Sequence, residues 1–246
     1  MEKVLIEQLI VVTDGRSNVG GSPMTAAKEA ASKGVIVNAI GIMNNDHGED
    51  DSLYEVQKIA EAGGGIWENT IIKNLGHTMY AVTQKTVNKT IETMVGKKLK
   101  EIMDTELEDI VPQARNKIIE YIDLLSEEAE IRCCIAMDCS SSMNNKMSSA
   151  KQSVIELMNS LKGRVGKSEV AVIAYPGQNG EPTRIVSDFT QELDMIKDKI
   201  LTLKAGGMTP TAAAINDSMS LIKGEHELTL DEIVREDEGL LKKSIV

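Results

Sequence analysis

The segment IRCCIAMDCSSS, residues 131–142, indicates the fold class of this 246-residue chain more directly than any other stretch. It begins as a mostly apolar run, which is the pattern of a strand buried on both faces. The run ends at Asp138, and a segment of helical composition follows from about Lys146 to Leu161. In open α/β sheets, ligands bind in the crevice beyond the carboxyl ends of the strands. We therefore expect Asp138, Ser140 and Ser142 to lie in such a crevice.

The rest of the chain alternates between strand-like and helix-like segments. The predicted strands cover residues 8–13, 34–42, 66–68, 131–137, 169–175 and 183–189, and the predicted helices cover 23–33, 54–62, 75–102, 112–126, 146–161, 191–203 and 211–223. This alternation predicts an α/β fold with a doubly wound, mostly parallel, six-stranded sheet. Within it, 66–68 is expected at an edge, and 183–189 is expected to pair back on the preceding strand as a hairpin.

Two further turns carry oxygen-bearing side chains in comparable positions. The apolar run at 8–13 ends at Asp14, within VVTDG, and the loop GGMTPT, residues 206–211, places Thr209 just before a predicted helix. A D-x-S-x-S spacing alone has low specificity because Asp and Ser are common in turns. With these companions it indicates a metal site, since carboxylate and hydroxyl oxygens suit a hard divalent ion such as Mg²⁺.

Together the three segments resemble the metal-ion-dependent adhesion site of von Willebrand factor A (VWA) domains. That family carries D-x-S-x-S after its first strand, a threonine in a loop similar to G-G-x-T-P, and an aspartate in T-D-G after its fourth strand. The resemblance implies five metal ligands, which are Asp138, Ser140, Ser142, Thr209 and Asp14. It also implies a Rossmann-like fold and Mg²⁺ as the cofactor, with Mn²⁺ as an alternative.

The resemblance further implies that the chain is not an enzyme. In the family, a protein partner offers an Asp or Glu that completes the coordination of the metal at the top of the sheet. We therefore expect an intracellular, Mg²⁺-dependent module for protein–protein interaction.

The order of the motifs departs from the family, because the T-D-G segment opens the chain instead of following the threonine loop. Residues 1–100 resemble the C-terminal half of a VWA domain and 131–224 its N-terminal half, which indicates a circular permutation. Residues 101–130 then form a helical linker and 225–246 a charged tail. The order is similar to that of permuted VWA proteins from spore-forming Firmicutes, which implies a role in sporulation. The linker, the tail and both old and new termini are expected at the sheet edge opposite the metal.

The composition of the chain further limits the classes of function that it can have. A formal net charge of −11 argues against nucleic acid, whose phosphates require a basic face. The N-terminus carries acidic residues within its apolar stretch and lacks a cleavage site, and no apolar run is long enough to span a membrane. Cys133, Cys134 and Cys139 lack zinc spacing and are expected as buried, reduced thiols in a cytoplasmic protein.

Three alternatives stay open at this stage. Asp138, Ser140, Ser142 and Thr209 are residue types that cap helices, although capping does not explain Asp14. A metal-dependent phosphoryl-transfer enzyme with Asp138 as nucleophile would need a second acid two positions on, where Ser140 stands. The third alternative is a scaffold that works through its linker and tail. The sequence is compatible with a monomer or with a dimer whose halves are swapped.

Overall fold

The computed structural model describes residues 4–43, 50–104 and 106–225. Most of the acidic loop at 44–51, including His47, lies outside the described residues, as do His226 and the rest of the tail after Glu225.

Six strands of the described chain form one sheet. They are β1 (Leu5–Thr13), β2 (Ile36–Met43), β3 (Gly64–Ile71), β4 (Glu130–Asp138), β5 (Ser168–Tyr175) and β6 (Arg184–Thr190). Their order is β3-β2-β1-β4-β5-β6. Neighbouring strands are parallel except β5 and β6, which form an antiparallel pair. The predicted α/β fold is therefore confirmed, as are the hairpin and the edge position of β3.

Helices cover both faces of this sheet. They are α1 (Pro23–Ser32), α2 (Asp50–Ala62), α3 (Leu75–Met103), α4 (Pro112–Glu128), α5 (Met147–Leu161), α6 (Leu193–Leu201) and α7 (Thr211–Lys223). One core cluster lies under α3, α5 and α6, and a second lies under α1, α2 and α7. Cys133 belongs to the first cluster and Cys134 to the second, because adjacent residues of a strand point to opposite faces. Both thiols, and that of Cys139, are buried and free.

The direction of winding reverses between β1 and β4, at the centre of the sheet. From β1 the chain continues to β2 and β3 on one side, and from β4 it continues to β5 and β6 on the other. The two strands pair in parallel from Leu5 opposite Glu130 to Val12 opposite Met137. A ligand crevice is expected at the carboxyl ends of two such strands. We call this side of the sheet the carboxyl edge and the opposite side the amino edge.

The described ends of the chain meet at the amino edge. The carbonyl of Val4 accepts a hydrogen bond of 2.8 Å from the amide of Glu130, at the start of β4. Lys223, at the end of α7, forms an ion pair with Glu7 of β1. Strands from both predicted halves thus share one sheet, with the helical linker on this side.

Met143 and the linker helix α4 differ in their burial. Met143 is fully buried in the core beneath α5. α4 packs on the core through one face, on which Ile122 and Ser126 are buried and Ile118 and Leu125 are partly buried. Ile119 and Leu124 on its outer side are exposed. Among the described residues, no helix is both long and apolar enough to cross a membrane.

Candidate metal centre

The carboxylate of Asp138 lies at the centre of the carboxyl edge. Asp138 is the last residue of β4 and is 0% exposed. Its Oδ1 accepts a hydrogen bond of 2.7 Å from the amide of Ser140, and its Oδ2 accepts one of 2.7 Å from Thr13 Oγ1. Burial raises the pKa of Asp138 to about 6, against the lowering effect of these hydrogen bonds, and the charge of Asp14 adds to the rise. The crevice therefore holds two carboxylates that repel each other.

Asp14 follows β1 directly, and its side chain is buried. Its Oδ1 accepts a hydrogen bond of 2.6 Å from Ser142 Oγ, whose own neighbour at 3.0 Å is Ser140 Oγ. Its Oδ2 lies 2.6 Å from the ammonium of Lys146, which is largely buried. A continuous path of polar contacts therefore joins the T-D-G segment to the D-x-S-x-S segment, 124 positions apart in sequence from Asp14 to Asp138.

Thr209 is held against the same crevice from the third loop. Its amide donates to Asn18 Oδ1 at 2.8 Å, and its carbonyl accepts from the amide of Asn18 at 3.3 Å. The amide of Gly206 donates to the carbonyl of Cys139 at 2.8 Å. Gly207 has a φ of +86°, and a Cβ there would lie 3.0 Å from Pro176, so this turn favours glycine. The threonine loop is thus tied to both of the other segments.

The three segments that carry the five predicted ligands meet at the carboxyl edge. Polar contacts join Asp14, Ser142, Ser140 and Asp138, and Thr209 is held there by backbone contacts of its loop. The alternative of helix capping does not describe them, because no side chain caps the 3₁₀ turn Ser141–Met143, α5 or α7. For comparison, Ser22 does cap a helix of this chain, because its side chain accepts a hydrogen bond from the amide of Thr25 in α1. The hydroxyls of the D-x-S-x-S segment instead point to one another and to Asp14.

Three residues of the site were not predicted from the sequence. Thr13 orients Asp138, Lys146 neutralises Asp14, and Asn18 holds Thr209. Thr13 lies within the T-D-G segment, so the motif itself carried that signal. Nothing in the spacing of Lys146 or Asn18 links either residue to the crevice.

The chemistry of the crevice is that of oxygen donors. In the part of the chain that the structure describes, no three His, Cys, Asp or Glu side chains cluster so as to hold a metal ion. A cation at this edge would therefore rely on hydroxyls beside its two carboxylates. Such a donor set favours a hard ion such as Mg²⁺ over Zn²⁺, which prefers nitrogen and sulfur.

Comparison with known proteins places the chain in a family. A model of the von Willebrand factor type A domain matches residues 134–234, and a second model of the same description matches residues 6–74. Together the two matches cover more than half of the sequence. The chain belongs to the von Willebrand factor type A family. The two VWA matches fall on the two segments whose loops form the crevice, and the linker lies between these segments.

Two relatives resemble this VWA chain over almost its whole length. The uncharacterized protein YabS of Bacillus subtilis is 32% identical over 238 residues, which are 95% of this chain and 97% of YabS. The crystal structure of an uncharacterized protein from Alicyclobacillus acidocaldarius is also 32% identical. It matches with a TM-score of 0.83 over 90% of this chain and 95% of its own. The six-stranded VWA-like sheet thus has an experimental counterpart.

Proposed function

We propose that this chain is a module for metal-dependent protein recognition. Asp14, Asp138, Ser140, Ser142 and Thr209 would hold Mg²⁺ at the carboxyl edge. An Asp or Glu of a partner protein would then complete the coordination of the ion. The observation that carries the proposal is the network of polar contacts that joins Asp14, Ser142, Ser140 and Asp138 at the centre of the sheet.

The charges of the crevice support a bound cation. Asp138 is fully buried, and the pKa of its carboxyl is raised to about 6 by burial and by the charge of Asp14. A buried, ionised carboxylate is costly unless it is paired or bound to a metal. A divalent ion supplies the missing positive charge and thereby favours the ionised form.

The surroundings of the crevice suit a protein partner. Ser142 is exposed although Asp138 is not, so the hydroxyl side of the site faces solvent. Met208, beside Thr209, is 60% exposed, and Val19, beside Asn18, is also exposed. Exposed apolar side chains suit burial by a partner, because the buried core of a protein interface is more apolar than the rest of the surface. A partner could bury these two side chains while its carboxylate reaches the metal.

We also propose that the order of the motifs along the chain arose by circular permutation of a VWA domain. The ion pair between Lys223 and Glu7 supports it, since the end of α7 lies beside β1. A chain that joined α7 to β1 directly would produce the family's order of motifs. Permutation succeeds where the new ends are exposed and the old ends are close in space.

Recognition is preferred over catalysis because of the burial of Asp138. A phosphoryl-accepting nucleophile must reach its substrate, whereas both oxygens of this carboxylate accept hydrogen bonds within the crevice. We therefore expect no metal-dependent hydrolysis of p-nitrophenyl phosphate, a generic phosphatase substrate. Turnover that is lost in Asp138→Asn but retained in Ser141→Ala would favour the enzyme instead.

A capture experiment with matched serine variants tests the recognition proposal. The full chain is used as bait in Mg²⁺ or in EDTA, together with Ser142→Ala and the control Ser141→Ala. Ser142 bonds to Asp14, whereas the hydroxyl of its neighbour Ser141 donates to the carbonyl of Gly207. A specific partner should be lost in EDTA and with Ser142→Ala but kept with Ser141→Ala. A partner captured equally in Mg²⁺ and EDTA would contradict the proposal.

A further inference from the structure

The longest helix of the described chain extends well past the sheet. The 29 residues of α3 span about 43 Å, whereas strands of eight or nine residues span about 30 Å. α3 starts at the carboxyl edge, just after β3, and its buried residues end at Ile91. The part from Glu92 to Met103 therefore projects beyond the amino edge.

α4 returns along this projection. It ends at Glu128, directly before β4, so it runs towards the sheet and antiparallel to α3. The two segments, residues 92–103 and 112–128, form what we call the helical hairpin. Towards the core, α4 contributes the buried Ile122 and Ser126 and the partly buried Ile118 and Leu125, whereas most of its other residues are exposed.

The helical hairpin concentrates exposed apolar surface. Of the seventeen large apolar residues that are exposed in the described chain, seven lie between positions 94 and 124, namely Met94, Ile102, Met103, Val111, Ile119, Tyr121 and Leu124. Met94, Ile102, Met103 and Tyr121 also line a groove of about 360 Å³ between α3 and α4. The other exposed apolar residues are spread over the rest of the described surface. The groove joins four of these seven residues into one apolar patch, and an exposed apolar patch marks an interaction site.

We propose that the helical hairpin pairs with the same hairpin of a second copy of this chain. Two antiparallel helices have no partner for their outer apolar stripe, and two such hairpins together form a four-helix bundle with a closed core. Twofold pairing uses the same patch on both copies. The projecting hairpin also has the size for it, because a stable interface uses about 20–30 residues per partner.

Charge supports a second copy as the occupant. A patch that pairs with itself must be complementary to itself. The segment 92–103 of α3 carries three lysines and two glutamates, a net charge of +1, whereas 112–128 of α4 carries one arginine and one lysine against three glutamates and one aspartate, a net charge of −2. Lys98 and Lys100 also form ion pairs within the chain, with Glu101 and Glu106. Opposite signs therefore lie on the two helices that would face each other across the twofold axis.

This pairing is independent of the proposed metal site. The hairpin projects from the amino edge, so a dimer would present two crevices away from its axis. Such a molecule would bind a partner with repeated carboxylates at two points, which raises avidity without any new contact.

The mass of the full chain in solution, measured by sedimentation velocity from about 1 to 100 µM, tests the proposal. We expect the mass of a dimer both in Mg²⁺ and in EDTA. The variant Ile102→Glu and the double variant Ile102→Glu with Tyr121→Glu should raise the dimer dissociation constant by roughly a hundredfold or more. Ile102 is 78% exposed, so its replacement leaves the core intact.

Val165→Glu is the matched control, because Val165 is 77% exposed and lies outside the hairpin. It should remain a dimer. A wild-type chain that is monomeric at 100 µM would overturn the proposal. A dimer that persists in the double variant would also overturn it. A dimer with swapped halves would give that result, because it does not depend on the hairpin. A dimer found together with no Mg²⁺ binding would leave this inference standing and defeat the proposed function alone.

Discussion

The two edges of the sheet differ in almost every physical respect. The carboxyl edge carries a polar crevice whose two carboxylates are buried. Its groups come from three loops that are held together by hydrogen bonds, including that between Ser142 and Asp14. The amino edge carries a projecting hairpin whose apolar residues, such as Ile102, are exposed. The contrast suggests a division of labour, in which the proposed metal site and the proposed surface for assembly lie at opposite edges of one sheet. Changes at one edge should therefore leave the other largely unaffected.

The largest effect is expected at the anchor of the linker on the amino edge. The guanidinium of Arg164 is buried and donates to the carbonyls of Ser126, Glu127 and Ala129, at the end of α4. Arg164→Met would remove this donor from the carbonyls of Ser126 and Ala129, whereas that of Glu127 keeps a hydrogen bond from the amide of Gly166. We therefore expect a loss of roughly 2–3 kcal/mol in the free energy of unfolding.

Urea denaturation measures that loss of stability, and calorimetry measures the affinity of the carboxyl edge for Mg²⁺. The affinity for Mg²⁺ should stay within about twofold of the wild type if the edges act separately. A variant that loses Mg²⁺ affinity while still folded would show that the two edges are coupled.

A smaller effect is expected from pH at the carboxyl edge. The pKa of Asp138 is about 6 in the folded chain, mainly because of burial, and its ordinary value is 3.8. The folded state therefore keeps a proton that the unfolded state releases, and in EDTA stability falls as pH rises from about 4 to about 6. We expect this group to contribute a fall of roughly 1–3 kcal/mol.

The difference between wild type and Asp138→Asn isolates this group together with its coupling to Asp14, because the carboxyls away from the crevice titrate equally in both. Chemical denaturation at pH 4.5 and 7.5 provides the measurement. With Mg²⁺ at pH 7.5 the wild type should recover stability and Asp138→Asn should not. A pH dependence that is the same in both proteins would contradict the assignment.

The smallest effect concerns Lys146, whose ammonium lies 2.6 Å from Asp14 Oδ2. This positive charge competes with a metal ion for the charge of Asp14. Lys146→Met should therefore raise the affinity for Mg²⁺ by about tenfold, a free-energy change of about 1.4 kcal/mol. It should also make the chain less stable in EDTA, because Asp14 then lies buried without its ion pair.

The control is Lys151→Met, which removes the next lysine along the chain. Its ammonium donates to the carbonyl of Leu201, away from the crevice. The control should bind Mg²⁺ as the wild type does. Unchanged or weaker binding by Lys146→Met would show that Lys146 does not compete with the metal.

The arrangement of strands and helices could be predicted from the sequence because it depends on local patterns. The apolar run before Asp138 predicted β4, and the weaker alternation at 183–189 predicted the antiparallel strand β6. That β1 and β4 are neighbours in the sheet cannot be predicted from local patterns, because the two strands are far apart in sequence. Here it followed only from the resemblance to VWA domains. The same is true of the approach of Asp14 to Ser142.

Two features could not be predicted, for different physical reasons. Lys146 pairs with Asp14 across 132 positions, and no periodicity records a contact of that kind. The apolar spacing of Val95, Leu99 and Ile102 continues the stripe of α3, so the sequence indicated a face to be covered. It did not indicate that the domain itself would fail to cover it, because that depends on how far α3 extends beyond the strands.

The central claim is that one metal ion is held jointly by Asp14 and Asp138, which come from the two separate segments of the chain. Titration calorimetry of the full chain with Mg²⁺ tests it most directly, using Asp14→Ala and Asp138→Ala, with Asp123→Ala on the hairpin as the control. The account predicts that each of the first two variants abolishes binding and that the control binds like the wild type. Normal Mg²⁺ binding by a folded Asp14→Ala or Asp138→Ala variant would contradict it.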